Sequence, residues 1–176
     1  NLYNSNRNVL NGIKEIIGQD VPFYENDCND IENLRIIFQK EKFDGVIHFA
    51  AYKAVGESVE QPLKYYENNI VSLLNLLKVM EEHQVNKFVF SSSCTVYGQP
   101  EQLPVTEATP RLPATSPYGN TKAIAEDIIR DYIFSEPSMK AICLRYFNPI
   151  GAHETALIGE LPNGVPSNLV PFITQT

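Results

Sequence analysis

The sequence is poor in cysteine and histidine, and their arrangement excludes several kinds of site. Its three cysteines, Cys28, Cys94 and Cys143, are odd in number and form no C-x-x-C pair. This argues against a disulfide framework and favours a reducing compartment, the cytoplasm. The three histidines have no ligand partner at metal spacing, so no metal site is predicted.

Charge and hydropathy argue against two classes of partner. The 14 lysines and arginines form no run and are outnumbered by 21 acidic residues, and the net charge of −7 argues against a nucleic-acid partner. No apolar stretch approaches the roughly 18 residues that a transmembrane helix requires. The first residues also lack the basic-then-apolar layout of a secretory signal. We therefore expect a soluble protein with no membrane partner.

What the sequence does contain is an alternation of short apolar, β-rich runs and longer segments of helical period. Strands are predicted at 21–24, 45–49, 87–91 and 141–146, and helices at 9–17, 31–38, 63–80, from 118 onward and near 169. This alternation is typical of an α/β fold with a parallel sheet. The run at 45–49 is almost continuously apolar, which predicts a buried strand.

The segment 116–122, SPYGNTK, places a tyrosine and a lysine one helical turn apart. Ser116 is a suitable N-cap and Pro117 a suitable first residue, so Tyr118 and Lys122 should share one face of a helix. Ionising a phenol at neutral pH costs about 4 kcal/mol, and an ammonium at about 4–5 Å supplies a comparable amount. The pair can form a tyrosinate base or be an ordinary surface pair, and these two residues alone do not decide.

Chemically distinctive residues follow three of the predicted strands. The segments 49–53, 91–95 and 146–148 carry aromatic, basic, hydroxyl and amide side chains at strand ends. In an open parallel sheet, ligands bind beyond the carboxyl ends of the strands. We therefore expect these segments to line one crevice, although the serines at 91–93 taken alone could equally be turn-forming hydroxyls.

Four blocks of the sequence carry a resemblance to a known family. They are HFAAYKAVGES at 48–58, SSSCTVYG at 91–98, SPYGNTK at 116–122 and RYFNPIGAH at 145–153. With these blocks in this order, the chain resembles the extended short-chain dehydrogenase/reductase family, and within it the UDP-sugar 4-epimerases. The resemblance implies an α/β fold, an NAD-binding Rossmann-like doubly wound parallel sheet that is incomplete here. It also implies one partial domain over 1–176, in which 147–176 lead into the substrate-binding region.

The resemblance implies a reaction and a role for each member of a triad. Tyr118 would take the proton from the sugar 4-hydroxyl, Lys122 would bind the nicotinamide ribose and lower the pKa of Tyr118, and Ser93 would hydrogen-bond the substrate hydroxyl. NAD would accept hydride from C4, a 4-keto sugar would rotate, and hydride would return to its other face. The implied reaction interconverts UDP-glucose and UDP-galactose.

The family's ligand-binding positions also map onto this sequence. Besides the triad, the cofactor-binding positions correspond to Asn1, Leu2, Tyr3, Asn4, Ser5, Asp27, Cys28, Phe49, Ala50, Ala51, Tyr52, Lys53, Asn68 and Phe147. Besides Ser93 and Tyr118, the substrate-binding positions correspond to Tyr146, Asn148, Asn168 and Leu169. Such enzymes often form homodimers through two helices of each subunit, which correspond to the predicted helix at 63–80 and the one that begins at 118.

Two departures from the family pattern concern the cofactor. The nine glycines include no G-x-x-G-x-x-G motif, so we expect that the phosphate-cradling loop and first strand of the family precede Asn1 and that the substrate lobe follows Thr176. For the same reason we expect the 176-residue chain alone to be inactive. Ala51 stands where the family usually has glycine, and we expect its methyl group to be tolerated.

Two alternatives to the epimerase function are considered. Related 4,6-dehydratases carry Asp-Glu directly after the residue that corresponds to Ser93, whereas Cys94 and Thr95 stand there and are unsuited to eliminating water. A non-catalytic nucleotide-binding relic would have no use for Ser93, Tyr118 and Lys122 together. The sequence therefore favours the epimerase over both alternatives.

Overall fold

The structure is a computed structural model that describes residues 1–160, 164, 166 and 168–175. Residue 175 is described by its backbone only. By its contacts the chain divides into two compact units, one formed by Asp27–Phe147 and the other by Asn1–Asn26 together with Asn148–Thr176. The elements in chain order are α1 (Val9–Ile17), α2 (Ile31–Lys40), β1 (Val46–His48), α3 (Val55–Glu60), α4 (Pro62–Glu82), β2 (Lys87–Ser93), a 3₁₀ helix (Cys94–Tyr97), α5 (Pro117–Ser135), β3 (Lys140–Tyr146) and α6 (Leu169–Gln175).

The Asp27–Phe147 unit is built around a parallel sheet in the order β1-β2-β3. Phe88 of β2 pairs with Val46 on one side and with Ala141 on the other. The five predicted helices and three of the four predicted strands are therefore confirmed. The six-residue helix α3 was not predicted, because its sequence VGESVE carries no apolar stripe of helical period.

The core of this unit lies between one face of the sheet and helices α2, α4 and α5. Leu73, Leu77 and Met80 recur along α4 at helical spacing, and they pack with Phe88 and Phe90 of β2. Side chains alternate between the two faces of a strand, so Phe88 and Phe90 point to the helices together. This packing fixes α4 and α5 against the sheet and brings the start of α5 near the end of β2.

The prediction that the strand near 45–49 is buried is wrong for one face. Ile47 is 64% exposed, and Ile142 in β3 is 60% exposed. The helices that form the core with this sheet lie on the side of Phe88 and His48, so the described residues leave the opposite face open. An apolar run shows that a strand can be buried on both sides, but each face is buried only where other elements pack against it.

The strand predicted at 21–24 is absent, because no described residue forms a ladder with it. This segment is irregular, and Val21, Phe23 and Tyr24 are all more than a third exposed. Apolar and aromatic residues gave it a strand-like composition, but a strand exists only through hydrogen bonds to a neighbour. Pro22 also lacks the N–H that a ladder would use.

The second unit contains α1 and α6. Helix α1 ends at Gly18, whose φ of 74° places it in the left-handed region and whose N–H donates to the carbonyl of Lys14. Gly12 lies so close to residue 157 that an added Cβ would stand 2.8 Å from the carbonyl oxygen of Leu157. This approach joins α1 to the 148–160 segment. None of the helices that the structure describes is both long and apolar enough to cross a membrane.

Candidate functional site

Helix α5 begins as the sequence predicts, and its first turn forms the floor of the candidate site. The side chain of Ser116 accepts a hydrogen bond from the N–H of Gly119 at 3.1 Å, and Pro117 is the first helical residue. A Cβ at Gly119 would stand 3.1 Å from the Cβ of Thr95. Glycine therefore lets the start of α5 lie directly against the 3₁₀ helix that follows β2.

Ser93 and Tyr118, which are 25 residues apart in sequence, interact in this site, because the Ser93 side chain opposes the rise in the pKa of Tyr118. The Ser93 hydroxyl accepts from the N–H of Thr95 at 3.3 Å and from the Thr95 hydroxyl at 3.0 Å. A serine hydroxyl has two acceptor sites and one hydrogen, so its hydrogen remains for Tyr118. A donated hydrogen bond stabilises the ionised form of a phenol, which is the form that would act as a base.

Lys122 lies on the same face of α5 as Tyr118, as its spacing predicts. The side chain is 5% exposed, and its Nζ is 5.9 Å from the centre of the Tyr118 ring and 4.8 Å from that of Phe90. The ammonium donates a hydrogen bond of 2.6 Å to the carbonyl oxygen of Ser91. Lys122 is thus anchored to the end of β2 and stands beside the phenol ring.

The protonation equilibria of the pair are set mainly by burial. Burial lowers the pKa of Lys122 to about 8. Burial also raises the pKa of Tyr118, while the hydrogen bond from Ser93 acts in the opposite direction. Desolvation of the phenol thus dominates its pKa, and the lowering expected from Lys122 stays a prediction.

The predicted cofactor segment at 49–53 is held next to α5 by Asn69, a residue that the sequence analysis missed. The side chain of Asn69 accepts from the N–H of Tyr52 at 2.8 Å, and its amide donates to the carbonyl of Tyr52 and to the hydroxyl of Thr121, each at 3.1 Å. Asn69 is 5% exposed. A buried amide within the apolar stripe of α4 was the available signal, since buried polar groups need specific partners.

Aromatic residues flank the ends of the strands in this unit. Phe49 and Phe147 are 62% and 60% exposed, and the ring of Phe49 lies 6.3 Å from that of Tyr146. Tyr146 pairs in register with Ser93 across β2 and β3. The expected convergence of strand ends is thus observed for Phe49, Ser93 and Tyr146.

Asp27, Cys28 and Asn68 are also brought together, through two asparagines that the sequence analysis did not single out. The amide nitrogen of Asn29 donates to the carboxylate of Asp27 at 2.9 Å and to the side chain of Asn68 at 3.0 Å. Asn75 donates to the carbonyl of Cys28 at 3.3 Å. The buried Oδ1 of Asn29 has no hydrogen-bond partner among the described residues, so an acceptor remains at this position.

The remaining predicted site residues belong to the other unit. Asn1–Ser5 form its irregular first segment, in which the N–H of Tyr3 donates to Asn1 Oδ1 at 3.3 Å. Asn148, Asn168 and Leu169 line one cleft of about 380 Å³, whose other walls include Pro149, Ile150 and Thr174. Asn168 donates to Glu160 at 2.9 Å at the edge of this cleft.

Comparison with known proteins gives one family and many similar structures. A family model described as GDP-mannose 4,6 dehydratase matches residues 2–175. The UDP-glucose 4-epimerases of Neisseria meningitidis serogroup A and Bacillus subtilis are 53% and 51% identical over 175 residues, which is 99% of this chain and 52% and 51% of theirs. The chain therefore spans about half the length of the curated relatives it matches.

The solved structures agree with the sequence relatives. A UDP-glucose 4-epimerase from Bifidobacterium longum in complex with NAD+ and UDP has a TM-score of 0.96 at 48% identity, over 99% of this chain and 52% of that one. The enzyme from Stenotrophomonas maltophila with NAD and formylated UDP-arabinopyranose has a TM-score of 0.94 at 43% identity, over the same shares. These likenesses confirm the predicted fold class, an incomplete Rossmann-like α/β fold with a parallel sheet.

Proposed function

The chain belongs to the family described as GDP-mannose 4,6 dehydratase, and 99% of its length is similar to UDP-glucose 4-epimerases. From this premise we propose that the complete protein interconverts UDP-glucose and UDP-galactose. The reaction inverts C4 of the sugar through a 4-keto intermediate. The observation that carries this proposal is the buried Lys122 beside the phenol ring, with its Nζ 5.9 Å from the centre of the Tyr118 ring.

The proposed chemistry of the protein side chains is a reversible proton transfer. Tyr118 removes the proton of the sugar 4-hydroxyl as C4 is oxidised to the ketone, and the same phenol returns it when the alcohol is restored. We propose that Ser93 directs its hydroxyl hydrogen to Tyr118, since Thr95 donates two hydrogen bonds to the Ser93 oxygen. Partial burial of the phenol limits its contact with water, which makes the phenolate a stronger base.

We assign NAD as the cofactor, and it would supply the acceptor and donor of the C4 hydride. Exposed aromatic rings at Phe49 and Phe147 fit a nicotinamide, and the Asp27 carboxylate fits an adenine amino group. The residues that would hold NAD in this unit are Asp27, Cys28, Phe49, Ala50, Ala51, Tyr52, Lys53, Asn68, Ser93, Tyr118, Lys122 and Phe147. Asn1, Leu2, Tyr3, Asn4 and Ser5 are proposed as further cofactor contacts.

For the UDP-sugar we propose contacts from six residues. Ser93, Tyr118 and Tyr146 would face the reacting sugar, and Asn148, Asn168 and Leu169 would contribute through the cleft that they line. Accordingly, residues 1–176 would form part of an NAD-binding domain, with 147–176 leading into the substrate-binding region. The cleft has amide groups and apolar walls, a combination typical of small-molecule sites.

The epimerase is favoured over a 4,6-dehydratase by the side chains that follow Ser93. The Thr95 hydroxyl donates to Ser93, so it is already engaged in orienting the serine. Neither it nor the Cys94 thiol offers the carboxyl pair that an elimination of water uses. The dehydratase named by the family model is a relative at family level.

We further propose that the complete protein is a cytoplasmic homodimer. Cys28, Cys94 and Cys143 are free thiols, which suits a reducing compartment. Large apolar side chains stand exposed on the two helices proposed for the dimer contact, among them Leu63 and Leu74 on α4 and Phe134 on α5. These side chains are candidates for the contact between subunits.

An assay of the complete protein tests the proposed function. UDP-galactose should be converted to UDP-glucose with no net formation of NADH, because the hydride removed from C4 returns to C4. Product identity is established by chromatography and NMR, with UDP-glucose as the reverse substrate. Accumulation of a 4-keto-6-deoxy sugar would show that the protein is a dehydratase instead.

A further inference from the structure

A buried carboxylate outside the predicted site joins three elements that carry site residues. Glu126 lies on α5, one turn beyond Lys122, and is 7% exposed. It accepts a hydrogen bond of 2.6 Å from the Ser92 hydroxyl. Arg145 donates to both of its oxygens, at 2.9 and 2.8 Å, and Arg111 donates to one of them at 3.3 Å.

The partners of Glu126 stand next to the site residues in sequence. Ser92 on β2 directly precedes Ser93, and Arg145 on β3 directly precedes Tyr146. The guanidinium of Arg145 also lies 4.8 Å over the ring of Tyr97, in the 3₁₀ helix that follows Ser93. Glu126 therefore fastens the carboxyl ends of β2 and β3 to the helix that carries Tyr118.

The carboxylate is charged in its buried position. Burial by itself would raise the pKa of Glu126, but hydrogen bonds from Arg145 and Ser92 and the charges of Arg145 and Arg111 hold that pKa below its ordinary value. Two-point binding of a carboxylate by arginine restricts the orientation of both groups. The geometry of the strand ends is thus coupled to one residue of α5.

We infer that Glu126 is a positioning residue for the proposed proton transfer, acting through Ser92 to set the place of the Ser93 hydroxyl relative to Tyr118. This inference rests on the proposed function. Apolar residues of similar volume can often replace a buried ion pair without loss of stability, so the ion pairs of Glu126 are weak evidence for a purely stabilising role. The carboxylate lies instead where a small displacement of β2 would move the Ser93 hydroxyl relative to Tyr118.

The test uses Ser92→Ala in the complete protein, because this variant removes one hydrogen bond to Glu126 and leaves its ion pairs intact. We expect kcat to fall about tenfold with KM within about twofold of the parent value, since small misplacements of reacting groups slow the chemical step more than binding. Ser58→Ala is the matched control, a buried serine whose hydroxyl donates to the carbonyl of Val55. Its kcat should stay at the parent value.

Glu126→Gln is the second variant, and it should lower kcat at least as much as Ser92→Ala. In the double variant the two effects should not add, because both act on one hydrogen bond. Unchanged kcat in folded Ser92→Ala would overturn the inference. The inference would also be overturned if the loss of activity were explained entirely by a loss of folded protein in thermal melts, since Glu126 would then only stabilise the fold.

A titration separates this inference from the proposed function. If the parent protein converts no UDP-galactose, the proposed function is wrong, and the inference is judged by the ionisation of Tyr118. The ultraviolet absorbance of tyrosinate is recorded for the protein and for Tyr118→Phe, and their difference isolates Tyr118. Ser92→Ala should raise the apparent pKa of Tyr118 because the stabilising bond from Ser93 is loosened, whereas Ser58→Ala should not. An identical Tyr118 curve in Ser92→Ala would refute the positioning role.

Discussion

On α5, Lys122 is buried and Tyr118 is half-buried, and this desolvation favours the neutral form of each. The pKa of the phenol is raised and that of the ammonium falls to about 8. The Ser93 side chain acts in the opposite direction on the pKa of Tyr118 and so favours the phenolate. A base with a raised pKa is mostly protonated at neutral pH but is stronger once it is ionised. The assigned chemistry therefore depends on interactions that stabilise the phenolate.

Replacing Tyr118 by phenylalanine should remove turnover while leaving the ring in place. We expect kcat for UDP-galactose to fall by about a thousandfold, a typical contribution of a positioned base. Bound NAD should be retained, as measured by cofactor release on denaturation. Tyr132→Phe, a change of the same kind on α5 outside the site, should keep full activity. Activity within tenfold of the parent in Tyr118→Phe would exclude this residue as the base.

A second buried titratable group, His48, affects stability. Its ring is 4% exposed and stacks with Phe88 and Phe90, at centroid distances of 6.1 and 6.0 Å. Burial lowers the pKa of His48 to about 4, and the nearby charge of Lys122 acts in the same direction. Between pH 6.5 and 4 the unfolded chain therefore binds a proton at this residue that the folded chain does not bind.

Stability should consequently fall as the pH is lowered through this window. His48 alone should remove about 3 kcal/mol from the free energy of unfolding by pH 4, and none of that loss should be present above pH 7. Denaturant unfolding at intervals from pH 7 to pH 4 measures the slope. His48→Phe keeps an aromatic ring against Phe88 and should flatten this part of the slope. Equal slopes for the two proteins would contradict the assignment.

At the scale of elements, the site depends on close contact between α5 and the 3₁₀ helix. The absence of a side chain at Gly119 allows the first turn of α5 to meet Thr95, which in turn donates to Ser93. A shift of Thr95 by a few tenths of an ångström would also move the Ser93 hydroxyl to which Thr95 donates. Close packing of α5 at Gly119 is therefore needed to place the proposed catalytic residues.

Gly119→Ala should lower kcat about tenfold, because its methyl group must displace Thr95 or the start of α5. Alanine is intrinsically better than glycine in a helix by up to about 1 kcal/mol, so any stability gain would not explain a loss of rate. Gly56→Ala in α3 is the matched control, since a Cβ there meets nothing within 4 Å. Steady-state kinetics and thermal melts of both variants would show whether rate and stability separate as expected.

Local patterns predicted the elements whose evidence is contained in a short segment. The apolar repeat of α4 and the cap at Ser116 are examples, because helix formation depends on neighbours three and four residues away. The strand expected at 21–24 failed because strand formation needs a partner distant in sequence. Asn69 and Glu126 were missed for the same reason, since Tyr52 lies 17 residues from Asn69 and Arg145 lies 19 from Glu126. The catalytic assignment came from family resemblance and remains a prediction.

At the scale of the whole molecule, the described structure contains the proposed catalytic triad within one compact unit. Ser93, Tyr118 and Lys122 all belong to Asp27–Phe147. The exposed apolar residues of α4 and α5 also belong to this unit. The proposed dimer contact and the proposed site thus share the same helices, so assembly and activity can be tested with separate substitutions.

Charged substitutions on these helices should separate the proposed dimer. Leu63 is 80% exposed and Phe134 is 91% exposed, so changing both to glutamate should disturb the fold little. Light scattering of the complete protein should give twice the subunit mass for the parent and one subunit mass for the double variant. A double variant with the parent mass would place the contact elsewhere. Val21→Glu is a control on an exposed apolar residue outside both helices.

The bare sheet face marked by Ile47, Ile142 and Leu144 has a practical consequence for anyone who handles the 176-residue chain in isolation. Exposed apolar surface of this kind binds environment-sensitive dyes, adsorbs to phenyl resins and promotes precipitation when the protein is concentrated. Mild detergent or low temperature, which weakens apolar association, should keep such preparations dispersed.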